Sequence, residues 1–207
     1  PSPRPRSGAG VSCFAVSGDS TRPGRGPKPA AMARDLVLLV GHGAPPRDLS
    51  PALVARLKQL EGERRRHGTP MGEEEHALDE RLRQHPRTAE NDPYFQGLSR
   101  LAEALRPLLG GVELRLAFNE FCAPSLDQAI DHAVVDGAEQ IWVVSSMWTQ
   151  GGVHAEEEIP ETIEAARRRH PQLRITYAWP FDAAEVARFL AEHLRAQGLP
   201  SHGAGSS

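Results

Sequence analysis

Cysteine is scarce in this chain of 207 residues: Cys13 and Cys122 are its only two. That number and spacing build neither a disulfide framework nor a paired-cysteine metal motif, and a reducing, cytoplasmic setting is expected. An excess of basic charge is also missing. The formal net charge is -3, so no global positive field argues for nucleic acid as a partner. No apolar run approaches the roughly 20 residues that a bilayer span requires, so no membrane partner is expected. The first residues hold no apolar core of signal-peptide length. No internal repeat is evident.

What is present is an alternation of strands and helices. Residues 1–31 are rich in Pro, Gly, Ser and Arg with one acidic residue, Asp19. Such a composition buries too little surface to offset chain entropy, and a tail without ordered structure is expected. Its Arg-rich, acid-poor character resembles a transit peptide, but it has no amphipathic pattern. Residues 32–197 are expected to form one domain and 198–207 a Gly/Ser/Pro tail. Leu36-Val37-Leu38-Leu39-Val40 reads as a strand covered on both faces, ending in Gly41-His42-Gly43. Ser50 as N-cap and Pro51 at the first turn open a helix carrying Leu53, Leu57 and Leu60. Residues 61–93 differ in texture, dominated by Glu, Arg and His, and read as a partly helical insertion; Glu73 to Arg83 is its helical candidate. A helix with Phe95, Leu98, Leu101, Ala102, Leu105 and Leu109 follows and closes at Gly110-Gly111. Then come a strand over 112–118, a helix with a Ser125/Gln128 capping box, and a strand at Ile141–Val144. His154 is expected in a loop before the helix that Pro160 opens; a strand over 174–179 and a helix capped by Asp182 complete the pattern. The sum predicts an α/β fold: a single open parallel sheet of about four strands flanked by helices, like half of a flavodoxin-type sheet.

Right-handed crossovers put every strand's C-terminal end on one sheet edge. His42, Glu120 and His154 then fall there from three different strands. Under the order 2-1-3-4 they converge where the order reverses, the place where open sheets bind ligands. Two imidazoles and a carboxylate suit a divalent transition metal. Plainer readings stand beside this one. Glu156, Glu157 and Glu158 either feed a cation inward or complement a helix dipole. Arg64-Arg65-Arg66-His67 reads as a solvated helix end. Trp142, inside a strand, reads as core packing, whereas Trp148 either lines a flat ligand or packs. Cys122 reads as a small buried hydrophobe. A phosphatase built on a histidine is disfavoured, since that chemistry wants an arginine beside the histidine and Gly41 occupies the place.

Gly41-His42-Gly43 after an apolar strand, Glu120 followed by Pro124, and Gly151-Gly152-Val153-His154 with Glu158-Ile159-Pro160 together resemble the class II tetrapyrrole chelatases of the CbiX/SirB type. The resemblance implies insertion of Co²⁺, Fe²⁺ or Ni²⁺ into sirohydrochlorin or a related tetrapyrrole, with no organic cofactor. It implies that His42, Glu120 and His154 both hold the metal and carry the catalysis. Arg47, Trp148, Gly151 and Gly152 become candidate substrate contacts, and Glu157 and Glu158 accessory acidic groups. Arg81, Arg83 and Arg87 of the insertion become candidate partners for substrate carboxylates. The chain departs from the family's usual pattern at Ala44, where Ser is usual, at Glu158, where Asp is usual, and in the 61–93 insertion. Short members of the family pair as homodimers, so a homodimer is implied. A non-catalytic metal or tetrapyrrole carrier on the same site is the alternative, and turnover separates the two.

Overall fold

The structure is a computed structural model that describes residues 34–200. The expectations for residues 1–31 and for 201–207 lie outside the described residues. Four strands, β1 (Asp35–Gly41), β2 (Glu113–Phe118), β3 (Gln140–Ser145) and β4 (Arg174–Tyr177), pair in parallel in the order β2-β1-β3-β4. The order expected from the sequence is the one observed, and it reverses direction at β1. The helices are α1 (Pro51–His67), α2 (Glu73–Arg83), α3 (Pro93–Leu105), α4 (Leu126–Val135), α5 (Ile159–Arg169) and α6 (Ala183–Ala196).

Side-chain alternation along the strands assigns the two faces. Leu36, Leu38 and Val40 of β1 join Ile141 and Val143 of β3 under Ile130 and Ala133 of α4 and Ile159 and Ile163 of α5. Leu39, Leu114 and Phe118 face the other way, against Leu98 and Ala102 of α3. Each such fully buried Leu or Ile contributes about 1.5–3 kcal/mol relative to exposure. A third cluster stands apart from the sheet. There Leu57 of α1 and Leu82 of α2 close on Phe121, in the loop after β2. The α1–α2 pair therefore covers the C-terminal sheet edge rather than a sheet face.

The helix ends show what local chemistry controls. Ser125 accepts from the Gln128 backbone N–H while the Gln128 side chain accepts from the Ser125 N–H, the expected capping box. Asp182 caps α6 through the Ala184 N–H. Ser50 makes no side-chain cap; Pro51 alone marks that helix start. α1 does not stop near Leu60, where the composition changes, but runs on to His67. Gly62 weakens an exposed helix by about 1 kcal/mol, which its Glu and Arg neighbours, good helix formers, tolerate. Gly68, in the left-handed region at φ 61, ends it. α3 gives way to a 3₁₀ turn at Arg106–Leu109, because Pro107 has no N–H for the next α-helical bond.

One apolar expectation is corrected. Trp142 is 44% exposed rather than core. It shares a face with Val37, its β1 neighbour in register, and with Val144. The α3 cluster on that face reaches Val37 and Val144 but does not include Trp142. α6, which follows β4, buries none of its residues, and its Phe189, Leu190 and Leu194 stay about half exposed.

The small roof cluster should be fragile. Leu82 is fully buried there, so Leu82→Ala should cost about 2–4 kcal/mol. Urea denaturation measures the loss, and a change below about 0.5 kcal/mol would show that α2 is not packed on α1 and Phe121.

Candidate metal centre

The site is built on backbone contacts that continue the β1–β2 ladder past the strand ends. The Asn119 N–H donates to the Gly41 carbonyl at 2.9 Å and the Glu120 N–H to the His42 carbonyl at 2.8 Å. This approach leaves no room at Gly43. A Cβ there would lie 1.9 Å from the Glu120 carbonyl oxygen, and φ is 91°. Glycine meets both demands. The His42 N–H donates to the Tyr94 hydroxyl at 2.7 Å, which ties the loop to α3.

His154 is not in a loop. It opens a π-helical turn, His154–Glu158, that runs straight into α5. The cause is Pro160. A regular α-helical turn would press its ring against the Glu156 carbonyl. In the wider turn the Ile159 N–H bonds instead to the His154 carbonyl, five residues back. The Ala155 carbonyl would then look to the N–H of residue 160, which proline lacks. The Tyr177 hydroxyl of β4 fills that vacancy, donating to the Ala155 carbonyl at 2.9 Å. Burial pushes the Tyr177 phenol up to about 12, so it remains a donor.

These supports bring the three predicted residues together. The His42 and His154 Nε2 atoms are 3.1 Å apart, and a Glu120 oxygen lies 3.8 Å from the His42 Nε2. One ligand atom from each of the three falls within 4.8 Å of the others. The tautomers follow from the neighbours. The His42 Nδ1 faces the Gly43 carbonyl at 2.7 Å, which can only accept. The His154 Nδ1 faces a Glu158 oxygen at 2.8 Å, also an acceptor, and the Asn119 side-chain nitrogen, a donor, at 3.0 Å; that nitrogen lies nearer to Glu158, at 2.6 Å. With the carboxylate as the nearer partner of both, Nδ1 of each histidine carries the proton, and both Nε2 lone pairs point at one spot. Bare lone pairs at that separation repel, so the arrangement calls for a cation or a shared proton between them.

Glu158 is the hub behind His154. It accepts from Asn119 at 2.6 Å and pairs with Arg65 of α1. Burial raises its pKa, but the hydrogen bonds from His154 and Asn119, with their charge environment, outweigh that and hold it below the ordinary carboxylate range. An ionised carboxylate on the distal nitrogen orients a ligating histidine and raises its basicity.

A cavity of about 610 Å³ opens beside the centre, between α1, α2 and α5. Its walls carry Glu61, Asp79, Glu120, Glu157, Glu158 and Glu161, against Arg64, Arg65 and Arg83. The arginines are engaged: Arg64 with Glu75, Arg65 with Glu158, and Arg83 with Asp79 and the Asn119 and Cys122 carbonyls. Arg87 is likewise spent on the Ala44, Leu82 and Phe121 carbonyls and on Asp92. Arg83 and Arg87 therefore hold the loops around the centre. Arg81 is exposed. Glu157 lines the cavity. Arg47 is exposed and Trp148 packs edge-on against Phe189; neither lines this cavity. Gly151 donates to Glu156, and the Gly152 carbonyl accepts from the Ala155 and Glu156 N–H groups, so both glycines shape the π turn. Cys122 is buried, and burial raises its thiol pKa, as fits an inert packing residue.

Sequence reasoning missed Lys58, Asn119 and Arg65. Lys58 donates to the other Glu120 oxygen at 2.6 Å and to Glu61 at 2.9 Å. All three act across long sequence separations, and their local patterns, a polar position on an amphipathic helix or a strand-end asparagine, carry no distinguishing signal.

Fold and site define a class: an open-sheet α/β protein with two imidazoles and a carboxylate drawn together where the strand order reverses. Residues 89–196, just over half of the chain, match the CbiX family model. The chain belongs to the CbiX family. That match includes Glu120 and His154, while His42 lies before it. A sirohydrochlorin ferrochelatase of Priestia megaterium is 27% identical over 88 residues, 42% of this chain and 33% of that protein. A sirohydrochlorin cobaltochelatase of the same organism is 33% identical over 70 residues, 34% of this chain and 22% of that protein. The chain thus matches a third or less of the length of these curated relatives. The solved structure of SirB from Bacillus subtilis with Fe³⁺ is 21% identical, with a TM-score of 0.49 over 81% of this chain and 48% of that one.

The tyrosine support is testable. Tyr177→Phe leaves the Ala155 carbonyl buried without a donor and should cost about 1–2 kcal/mol. Urea denaturation reads it, and an unchanged stability would show that the carbonyl finds another partner.

Proposed function

We propose that this chain inserts a divalent metal ion, Co²⁺ or Fe²⁺ with Ni²⁺ as a further candidate, into sirohydrochlorin or a closely related tetrapyrrole. The observation that carries the reading is the pair of opposed Nε2 atoms 3.1 Å apart with Glu120 beside them. Family membership supports it, as do the names of the two Priestia megaterium relatives. The reaction exchanges one M²⁺ for two pyrrole protons. His42 and His154, neutral at Nε2, replace water on the incoming ion. Glu120 offers one oxygen toward the ion and is the base within reach for a pyrrole proton. Glu158 and Asn119 keep the His154 ring in its ligating orientation. No step calls for an organic cofactor. Cytoplasmic residence, expected from cysteine usage, belongs to the same proposal.

We also infer that two copies of the chain pair, through apolar surface that the described residues leave uncovered: Trp142 on the sheet and Phe189, Leu190 and Leu194 along one side of α6. Light scattering should give about twice the chain mass of 22.5 kDa. Leu190→Glu with Leu194→Glu should return it to one copy with the helix content unchanged. A wild-type mass of one copy would overturn the pairing.

The site itself is tested by metal titration and initial insertion rates. His42→Ala and His154→Ala should each weaken metal binding by at least about 100-fold and abolish most insertion, with stability nearly unchanged because both side chains are partly exposed. Glu120→Gln should slow insertion by roughly 10²–10⁴-fold if the carboxylate is the base. Metal binding that is lost in the histidine variants, with no insertion by wild type, would favour a carrier. Wild-type rates in both histidine variants would sink the assignment.

A further inference from the structure

Lys58 stands where a chelatase site would be expected to hold only donors. Its ammonium donates to Glu120 Oε1 at 2.6 Å, while the other oxygen of that carboxylate faces His42. The ammonium is held from two further sides. Glu61, one helical turn on in α1, takes it at 2.9 Å, and the Phe121 ring lies 4.7 Å away, close enough for a cation–π contact. Phe121 is itself fixed, with φ of 59° and its ring buried against α1 and α2. The charge is thus built into the metal centre by three separate contacts.

We propose that Lys58 sets the metal affinity of the centre: it occupies Glu120 as a resident cation, and it steps onto Glu61 when the metal ion takes the carboxylate. The inference rests on the reading of His42, Glu120 and His154 as a metal site, and it adds what that reading lacks. An ion that is cargo must leave the protein for the ring. A centre that gripped it as a structural site does would retain it. A unit positive charge a few ångströms from a divalent ion weakens binding by on the order of tenfold to hundredfold even at a dielectric near that of water. Glu61 makes the displacement possible, since the ammonium keeps a carboxylate partner after it gives up Glu120. At the start only Oε2 of Glu120 is aimed at the histidines, because Oε1 belongs to Lys58.

The test is calorimetric titration of the full chain with Co²⁺ alone, at low and at high salt. Lys58→Met should bind Co²⁺ about tenfold more tightly than wild type at low salt, and the gap should narrow at high salt as screening rises. Lys58→Arg keeps the charge and should stay within about threefold of wild type. Glu61→Gln removes the ammonium's second partner and should weaken binding by about 3–10-fold. The opposite directions of Lys58→Met and Glu61→Gln are what a merely structural role of α1 would not produce, since loss of α1 packing weakens binding in both. Equal or weaker Co²⁺ binding by Lys58→Met would overturn the inference. The His42→Ala/His154→Ala double variant separates the two levels. If it loses Co²⁺ while Lys58→Met is unchanged, the metal centre stands and the role of Lys58 falls. If it binds Co²⁺ like wild type, the metal-centre reading falls, and this inference with it.

Discussion

The backbone ladder between β1 and β2 does not end where the strands end, and the site depends on that continuation. Two further hydrogen bonds join Gly41 and His42 to Asn119 and Glu120. They hold a histidine from one strand and a carboxylate from the next in fixed register, so the two side chains cannot drift apart unless the ladder opens. Gly43 permits it by having no side chain where the Glu120 carbonyl passes. Gly43 also supplies the carbonyl that fixes the His42 tautomer, and Asn119 the side-chain amide that braces Glu158. Positioning and electronic preparation of the donors are therefore one piece of backbone geometry.

His154 arrives by a different route with the same outcome. Pro160 forbids a regular turn, the π turn that results leaves one carbonyl without a helical partner, and Tyr177 from the neighbouring strand supplies it. A chain of consequences from one imino acid thus ties His154 to the sheet. Glu158 then stays ionised against its own burial because His154, Asn119 and Arg65 surround it. A buried carboxylate without those partners would be costly. With them, it points the Nε2 lone pair at the shared spot.

The strand order and the convergence of His42, Glu120 and His154 were legible because they follow from long apolar runs and from right-handed crossovers, both of which are properties of contiguous sequence. The capping box at Ser125 was legible for the same reason. His154 was placed in a loop because a π turn leaves no periodicity of its own; only Pro160, read there as an ordinary first-turn proline, hinted at it. Trp142 was read as core because a strand residue's exposure depends on which helix reaches over it, and α3 stops short. Arg83 and Arg87 looked like anion binders by composition, yet their guanidinium groups serve loop carbonyls, a role set wholly by tertiary contact. Lys58 was invisible for that reason too: nothing in α1 alone says that its fourth carbon ends beside a carboxylate 62 residues away.

Phe121 links the roof to the centre. Its backbone belongs to the loop that carries Glu120, its ring belongs to the α1–α2 cluster with Leu57 and Leu82, and its face meets the Lys58 ammonium. Residues of the insertion therefore pack against the loop that carries Glu120. Seven residues that the composition assigns to the insertion are the end of α1, and they carry Glu61 and Arg65, each paired with a charged group of the centre or of its support. Lys58, Glu61 and Arg65 recur at helical spacing on one side of α1. That side is docked on Glu120 and on Glu158, the carboxylate behind His154. In the proposed function, an ion that takes Glu120 changes the partner of Lys58, so its charge acts on the helix that walls the cavity. Affinity for the metal and the seating of α1 are then one equilibrium rather than two.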